Sequence, residues 1–490
     1  MLQYLKNESN VAFTENGAKA FRTTESDCLD FFATVGAMRY LSETEIEQRF
    51  VRAYSENKDI ATKLIFYARD IRGGLGERRV FRVIFRWLAN NEPETVRKNV
   101  EYVAEYGRYD DLLVLIGTPC EGDAFRVIAE QLKKDMAALR IGGEVSLLAK
   151  WMPSVNTSNI TARINAKKIA RYLGMKDQEY RKTLVALRER IKIIENSLRV
   201  SDYTFDYAKQ PSCAMFRYRK AFIRNDGERY GEFLDSVKNG GAKLHASNVY
   251  PYEIIRPLIG YSVRLGEAEE ASINATWQSL PDYCGIDNAL TVIDLSGSMY
   301  INYNSDAPTP ASVALSLGIY AAERNKGCYK DHFIAFSRTA RLIEVKGDDF
   351  VSKVRYVRQF DEVANTNLEA VFDLILDAAI KNNVSSDELP SKLIIISDME
   401  FDRCVENGGS TIFNSAKRKY ARYGYELPDI VFWNVASRNT QQPITVNDRG
   451  VTLVSGCTPR IFSMVASGKV DPYVLMLDTI ESERYAQISA

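Results

Sequence analysis

A chain of 490 residues with 46% hydrophobic and 26% charged side chains has an ordinary globular composition and is too long for one hydrophobic core, so two domains are expected and wholesale disorder is excluded. No apolar run approaches the roughly 20 residues that span a bilayer, and the opening MLQYLKNESN lacks the apolar core of a signal peptide, so the expectation is a cytoplasmic protein without membrane association. The formal net charge is zero but uneven: residues 1–250 carry 41 basic and 33 acidic side chains, residues 251–490 carry 23 and 31, and the basic excess is densest over 151–250, with 19 against 10. That asymmetry points the first half towards an anionic partner such as a nucleic acid, with unevenly solvated surface as the plainer alternative.

Seven scattered cysteines with no Cys-x-x-Cys spacing, and only two histidines, His245 and His332, argue against a disulfide framework, a zinc site and paired catalytic histidines. Free thiols are expected.

From about residue 25 to 270 the apolar residues recur at helical spacing. Ala61, Leu64, Ile65, Ala68 and Ile71 form one stripe that stops at Gly73 and Gly74; Val80, Val83, Ile84, Trp87 and Leu88 form the next. Two antiparallel helices joined by a short turn follow from this. The loop Arg72 to Glu77 is glycine-rich but lacks the Gly-Lys-Ser/Thr ending of a phosphate-binding loop, so a turn between helices is the expected reading. Leu184, Leu187, Ile191, Ile194 and Leu198 predict one further amphipathic helix. Successive helix pairs predict an all-α helical-repeat domain, HEAT-like, over residues 1–284, although no repeat consensus is legible and a compact bundle is the alternative.

After a junction between Ala271 and Asp287, short apolar runs alternate with amphipathic helices, as parallel strands covered on both faces require. Strands are predicted at 289–293, 332–336, 393–396 and 430–435, with an edge strand at 450–455. Helices are predicted at 311–322, 368–380, 416–423 and 459–466. Residues 285–490 therefore read as a doubly wound, Rossmann-like α/β domain.

In such a sheet ligands bind beyond the carboxyl ends of the strands. LTVID runs into LSGSM there, placing Asp294 at a strand end and Ser296 and Ser298 on the next loop. Thr366 lies just before a predicted helix, and Asp398 at the end of the strand 393–396. Two carboxylates and three hydroxyls make a hard-oxygen cradle for one divalent cation, Mg²⁺ or Mn²⁺ before the larger Ca²⁺. Three loops in this order resemble a metal-ion-dependent adhesion site in a von Willebrand factor A-type domain. A site of that type leaves one coordination position for a carboxylate of a protein partner. The plainer alternative is that these side chains only cap helices.

The segments KLIFYARDIRGGLGER, EYGRYDDLL, LLAKWMPSVNTS, DYAKQPSCAM, YRKAF, VIDLSGSM, IIISDMEFD, VFWNVASRN and GVTLVSGCTPRIF resemble the TROVE-type proteins, the Ro ribonucleoprotein autoantigen group, and especially their bacterial, phage and plant relatives. The resemblance implies a ring of helical repeats closed by the A-type domain, single-stranded RNA ends entering the ring, and small structured RNAs on its outer basic surface. A histidine associated with RNA contact in Ro proteins has no counterpart here, since His245 lies outside the matching segment.

Three basic rows fit that implication. Arg78, Arg82 and Arg86, with Arg79 adjacent, recur every four residues; Arg163, Lys167 and Arg171 do the same beside Lys168; Arg181, Arg188, Lys192 and Arg199 share a third face. Such rows follow a phosphate backbone, and arginine planes stack on unpaired bases; a solvated helix face is the alternative for any one of them. The reading is a non-catalytic RNA-binding protein whose A-type domain recruits an acidic protein ligand through its cation. A protein-assembly module without RNA stands second. A metal-dependent nuclease stands third, because two-metal chemistry gathers more carboxylates than this site offers, even with Glu400 and Asp402 nearby.

Overall fold

The computed structural model of the protein describes residues 1–191, 193–259, 265–285, 288–301, 307–360, 364–403, 410–466 and 471–490. A succession of short-linked helices runs from Asp27 to Gln278, and a six-stranded sheet with helices on both faces follows.

Local sequence sets the first helix pairs. Ser42 opens the helix Glu43–Glu56 with a capping box: its hydroxyl accepts from Glu45 N, and the Glu45 carboxylate accepts from Ser42 N, which satisfies donors that a helix start leaves open. The Asn57 side chain caps the helix Lys58–Arg69 through Ile60 N. Ala61, Leu64, Ile65 and Ala68 on that helix are buried, as are Val80, Val83, Ile84 and Leu88 on Arg78–Asn91. The two expected stripes thus face one core, with the Trp87 ring edge-on to Phe50 at 5.7 Å. Between them the glycine-rich loop is a tight turn. Leu75 N donates to Tyr67 O, and a Cβ on Gly74 would lie 1.9 Å from that same carbonyl oxygen.

Two element expectations are corrected. The stripe from Leu184 to Leu198 belongs to two helices, Asp177–Ile191 and Ile194–Arg199, because Ile193 is extended and starts the second. The apolar spacing runs across the break because Leu184, Leu187 and Ile194 are all buried in one core. The junction expected from Ala271 begins as helix, since Glu267–Gln278 buries Ile273 and stacks Trp277 on Phe350 with ring centroids 3.7 Å apart. Six described cysteines are free.

The strands are β1 (Val11–Phe13), β2 (Lys19–Phe21), β3 (Ala289–Asp294), β4 (His332–Phe336), β5 (Ala340–Glu344), β6 (Lys392–Ser397), β7 (Asp429–Asn434) and β8 (Val451–Ser455). The large sheet has the order β5-β4-β3-β6-β7-β8; β5 pairs antiparallel with β4 and the other pairs are parallel. β3 and β6 are buried along their whole length. Ile293, Ile394, Ile396 and Trp433 join the core that continues into the helical half, while Val292, Leu393 and Ile395 pack with Phe372 and Phe413 from the helices Glu369–Asn382 and Ile412–Arg422.

The helical succession ends at Gln278 and the large sheet begins at Ala289, but both chain ends cross from one half to the other. The β1–β2 hairpin lies on the α/β half: Phe21 exchanges backbone hydrogen bonds with Gln442 at 2.8 and 2.7 Å. The C-terminal segment lies on the helical half, where Arg484 and Tyr485 bond the buried Asp70. Among the described residues no helix is long and apolar enough to cross a membrane.

Gly74→Ala should destabilise the protein by about 1–3 kcal/mol, as overpacking against fixed backbone does. Gly122→Ala, on the exposed face of the helix Glu121–Arg140 with open space around its Cβ position, should be neutral or stabilising by about 0.5–1 kcal/mol. Urea unfolding of the two variants checks this, and equal midpoints would refute the tight-turn account.

Candidate cation site and basic helix face

The polypeptide leaves β3 towards β4 on one side, whereas β6 lies on the other side of β3. Connections diverge at such a switch point and leave a crevice beyond the strand ends. Asp294 ends β3, and Asp398 immediately follows β6. The β3 loop bends back so that Ser296 N donates to Asp294 Oδ1 at 2.8 Å, and the Ser296 and Ser298 hydroxyls lie 3.3 Å apart. Gly297 N donates to Ala364 O at 3.0 Å, which ties this loop to the segment carrying Thr366. Thr366 O in turn accepts from Asp402 N at 2.9 Å. The three predicted loops therefore converge, with Asp294, Ser296, Thr366 and Asp398 buried and Ser298 half-buried.

Burial, and next the neighbouring Asp398 charge, push the Asp294 carboxyl up to about 7, against hydrogen bonds from Ser397 and Ser296 that favour its ionised form. Ser397, which the sequence reading passed over, donates its hydroxyl to Asp294 Oδ2 at 2.6 Å. Among the described residues no group of three or more His, Cys, Asp or Glu side chains is placed to hold a metal ion. The donor set at the switch point is instead two carboxylates and three hydroxyls, all oxygen. Oxygen ligands suit a hard divalent cation, and a positive charge between Asp294 and Asp398 would relieve their repulsion, so the residues fit such an ion.

Three further features were not legible in the sequence. Arg438, after β7, donates to Asp398 Oδ2 at 2.9 Å. The hairpin tip reaches the site from the far end of the chain: Asn16 Nδ2 donates to Glu400 O at 2.6 Å and to Thr366 Oγ1 at 3.3 Å, and Glu15 N donates to Glu400 Oε2 at 2.8 Å. Met399, between Asp398 and Glu400, holds φ at +68°, a left-handed conformation that costs a non-glycine residue about 1–3 kcal/mol and marks functional loops more often than others. Glu400 also accepts from Asn439 and Gln441. It is a brace for the loop rather than a free carboxylate.

The basic rows divide. On Arg78–Asn91, Arg78 and Arg86 are exposed, whereas Arg82 is fixed by Asp110 and Asp111 at 2.7 and 2.6 Å and Arg79 donates to Leu41 O. On Ile160–Tyr172, Arg163, Lys167 and Arg171 are exposed; Lys167 lies 3.8 Å from Asp177, and Lys168 pairs with Glu121. Arg181 and Arg199 are exposed, but Arg188 donates to the carbonyls of Ala149 and Met152. Lys192 lies outside the described residues. The face around Arg163 and Arg171 also exposes Ile160, Ile164 and half of Tyr172.

A helical half joined to a mostly parallel α/β half, with oxygen-bearing side chains gathered at the sheet's switch point, describes the protein. The chain belongs to the family described as Domain of unknown function (DUF2828), which it matches over residues 14–125 and 122–282. Residues 288–475 match a second description, Domain of unknown function (DUF7788). It is 28% identical to uncharacterized protein L728 of Acanthamoeba polyphaga mimivirus, over 96% of this chain and 88% of that protein. Its fold is similar to that of the Deinococcus radiodurans RO (RSR) protein, with a TM-score of 0.50 over 91% of this chain and 100% of that one, at 14% identity. The fold is therefore Ro-like.

The raised Asp294 carboxyl gives a pH signature. Between its ordinary value of 3.8 and about 7 the folded protein holds a proton that the unfolded chain has released, so this group's contribution to stability falls as pH rises through that window. In EDTA, Asp294→Asn should raise the melting temperature at about pH 8 and do so less at about pH 5. A difference that does not change with pH would show that Asp294 is not the titrating group.

Proposed function

We propose that the protein is a non-catalytic RNA-binding scaffold resembling Ro ribonucleoproteins, and that its C-terminal half is a von Willebrand factor A-type domain recruiting a second macromolecule through one divalent cation. In this reading the helix pairs are HEAT-like repeats closing a ring, Asp294, Ser296, Ser298, Thr366 and Asp398 hold Mg²⁺ or Mn²⁺, and the protein works in the cytoplasm. The cation supplies a positive coordination point, and the residues around it orient what docks there.

The observation that carries the RNA reading is the face of Ile160–Tyr172. Its exposed arginines and lysine stand beside the half-exposed Tyr172 ring, which leans on Phe125 at 5.3 Å, and single-stranded RNA is held by phosphate contacts together with stacking on aromatic and guanidinium planes. Arg78, Arg86, Arg181 and Arg199 extend the same chemistry, while Arg82 and Arg188 serve the fold. The Ro-like fold agrees with this reading by analogy. Against the nuclease reading stand the hydroxyl-rich donor set and the engagement of Glu400 by Asn439 and Gln441, which leave too few free carboxylates for a two-metal centre.

Reversing charge at Arg163, Lys167 and Arg171 should weaken retention of labelled single-stranded RNA and flatten the dependence of log K on log salt by about 2, at roughly 0.7 per lost phosphate contact. Filter binding across a salt series measures both. RNA retained without cleavage in Mg²⁺ fits the scaffold; cleavage abolished by Asp398→Ala would make the protein a nuclease; neither retention nor cleavage would leave a protein-assembly module. Calorimetry with Mg²⁺ should give a binding isotherm for the wild type and none for Asp294→Ala, and equal weak heats from both would remove the cation.

A further inference from the structure

The rim of the proposed cation site contains a guanidinium that meets two carboxylates of very different exposure. One arm of Arg438 is fixed on Asp398 Oδ2 at 2.9 Å, a carboxylate whose side chain is 1% exposed. The other arm meets Glu15 Oε2, also at 2.9 Å, and the Glu15 side chain is 49% exposed. Asn439 Nδ2 donates to the second oxygen of the same carboxylate at 2.9 Å. Glu15 is thus received by an arginine on one oxygen and an amide on the other, the arginine contact being charge-assisted.

The hairpin does not need the Glu15 carboxylate to stay in place. Thr14 Oγ1 donates to Phe401 O at 2.6 Å, Glu15 N to Glu400 Oε2, and Asn16 Nδ2 to Glu400 O. The receiving loop is held from the opposite side, where Arg49 donates to Ser437 Oγ at 2.7 Å and to Asn439 O at 3.0 Å. The patch is therefore preorganised by contacts independent of its occupant. A half-exposed ion pair contributes little in water and exchanges readily, whereas the buried arm on Asp398 does not. The Asn16 amide against Thr366 places the hairpin tip directly beside a cation ligand, across the approach to the site.

We propose that Arg438 and Asn439 form a carboxylate-receiving patch on the rim of the cation site, that Glu15 of the N-terminal hairpin is its resident occupant, and that an acidic segment of a partner protein docks by displacing Glu15. The magnesium dependence of docking rests on the cation reading above; the exchange at Arg438 does not.

The test uses the full chain and a short fluorescein-labelled polyglutamate peptide, followed by anisotropy in Mg²⁺ and again in EDTA. Removing an internal competitor raises apparent affinity by the fraction of time it had blocked the site, so Glu15→Ala should bind the peptide roughly tenfold tighter than wild type. Adding Arg438→Gln should abolish the gain, which separates this patch from the basic helices. Asn439→Ala in the Glu15→Ala background, which leaves Asp398 paired, should remove part of the gain and guards against misfolding of the arginine variant. A gain seen only in Mg²⁺ supports both the patch and the cation. A gain that persists in EDTA supports the patch and takes the cation out of it. No gain under either condition, or a gain that survives loss of Arg438 and of Asn439, overturns the proposal, whatever the magnesium calorimetry shows.

Discussion

Asp70 is buried, and its carboxylate is received by the Arg484 guanidinium and by the Tyr485 hydroxyl at 3.0 Å, 414 and 415 residues further along the chain. Burial would push this carboxyl up, but the Arg484 hydrogen bond and the Arg72 and Gly73 backbone donors bring it below its ordinary value. An uncompensated charge at this depth is costly, so the C-terminal segment cannot leave the helical half without stranding Asp70. The aromatic surroundings reinforce it: Tyr485 stacks on Tyr106 at 5.6 Å and stands edge-on to Tyr67. The other chain end does the converse, laying its hairpin on the α/β half. Each half therefore closes with a segment from the other end of the chain.

That exchange determines where the site can sit. β8 would be an open sheet edge, yet it is wholly buried, because the helix Asp27–Val35 covers it and Gly36 N donates to Ser455 Oγ at 3.0 Å. A Cβ at Gly36 would lie 2.4 Å from Ser455 O, so the contact demands glycine. The opposite edge, β5, is largely exposed, and the candidate site lies between the two edges, at the carboxyl ends of β3 and β6. The loop after β7 is then fixed from three directions, by Arg49, by the Phe21–Gln442 backbone pair and by the hairpin tip. The cradle is built from the α/β half, but its rim is built from both.

How much of this was legible in the sequence follows from distance along the chain. Asp294, Ser296, Ser298, Thr366 and Asp398 could be picked out because each sits where a strand of the α/β half ends or a helix begins, and strand ends are marked locally by an apolar run meeting polar residues. β1 and β2 were missed because three-residue strands carry almost no alternation, and their role depends on partners some 400 residues away. Arg438 was missed because it lies on a loop after β7, 40 residues from Asp398 and 423 from Glu15, where no local pattern marks a partner. The basic rows show a different limit. Spacing placed Arg82 and Arg188 correctly on helices, yet it does not say whether a cation meets solvent or a neighbour, and these two meet Asp110 and Asp111 or backbone carbonyls. The helix expected from Leu184 to Leu198 was broken by Ile193 because an apolar stripe reports a shared core face and not backbone continuity.

The charges around the switch point form a chain of dependence. Asp294 is accommodated by dipoles, the Ser397 hydroxyl and the Ser296 amide, whereas Asp398 is accommodated by a full charge, Arg438. Dipoles move little when a cation arrives, but a guanidinium beside a dication meets like-charge repulsion. Glu15, on the far side of the guanidinium, adds an anion that lessens this repulsion. If the proposed cation binds, the hairpin carboxylate, or one that replaces it, would ease the sharing of Asp398 between Arg438 and that ion. The N-terminal end of the chain is therefore tied into the electrostatics of a site whose other residues lie nearly three hundred positions or more away.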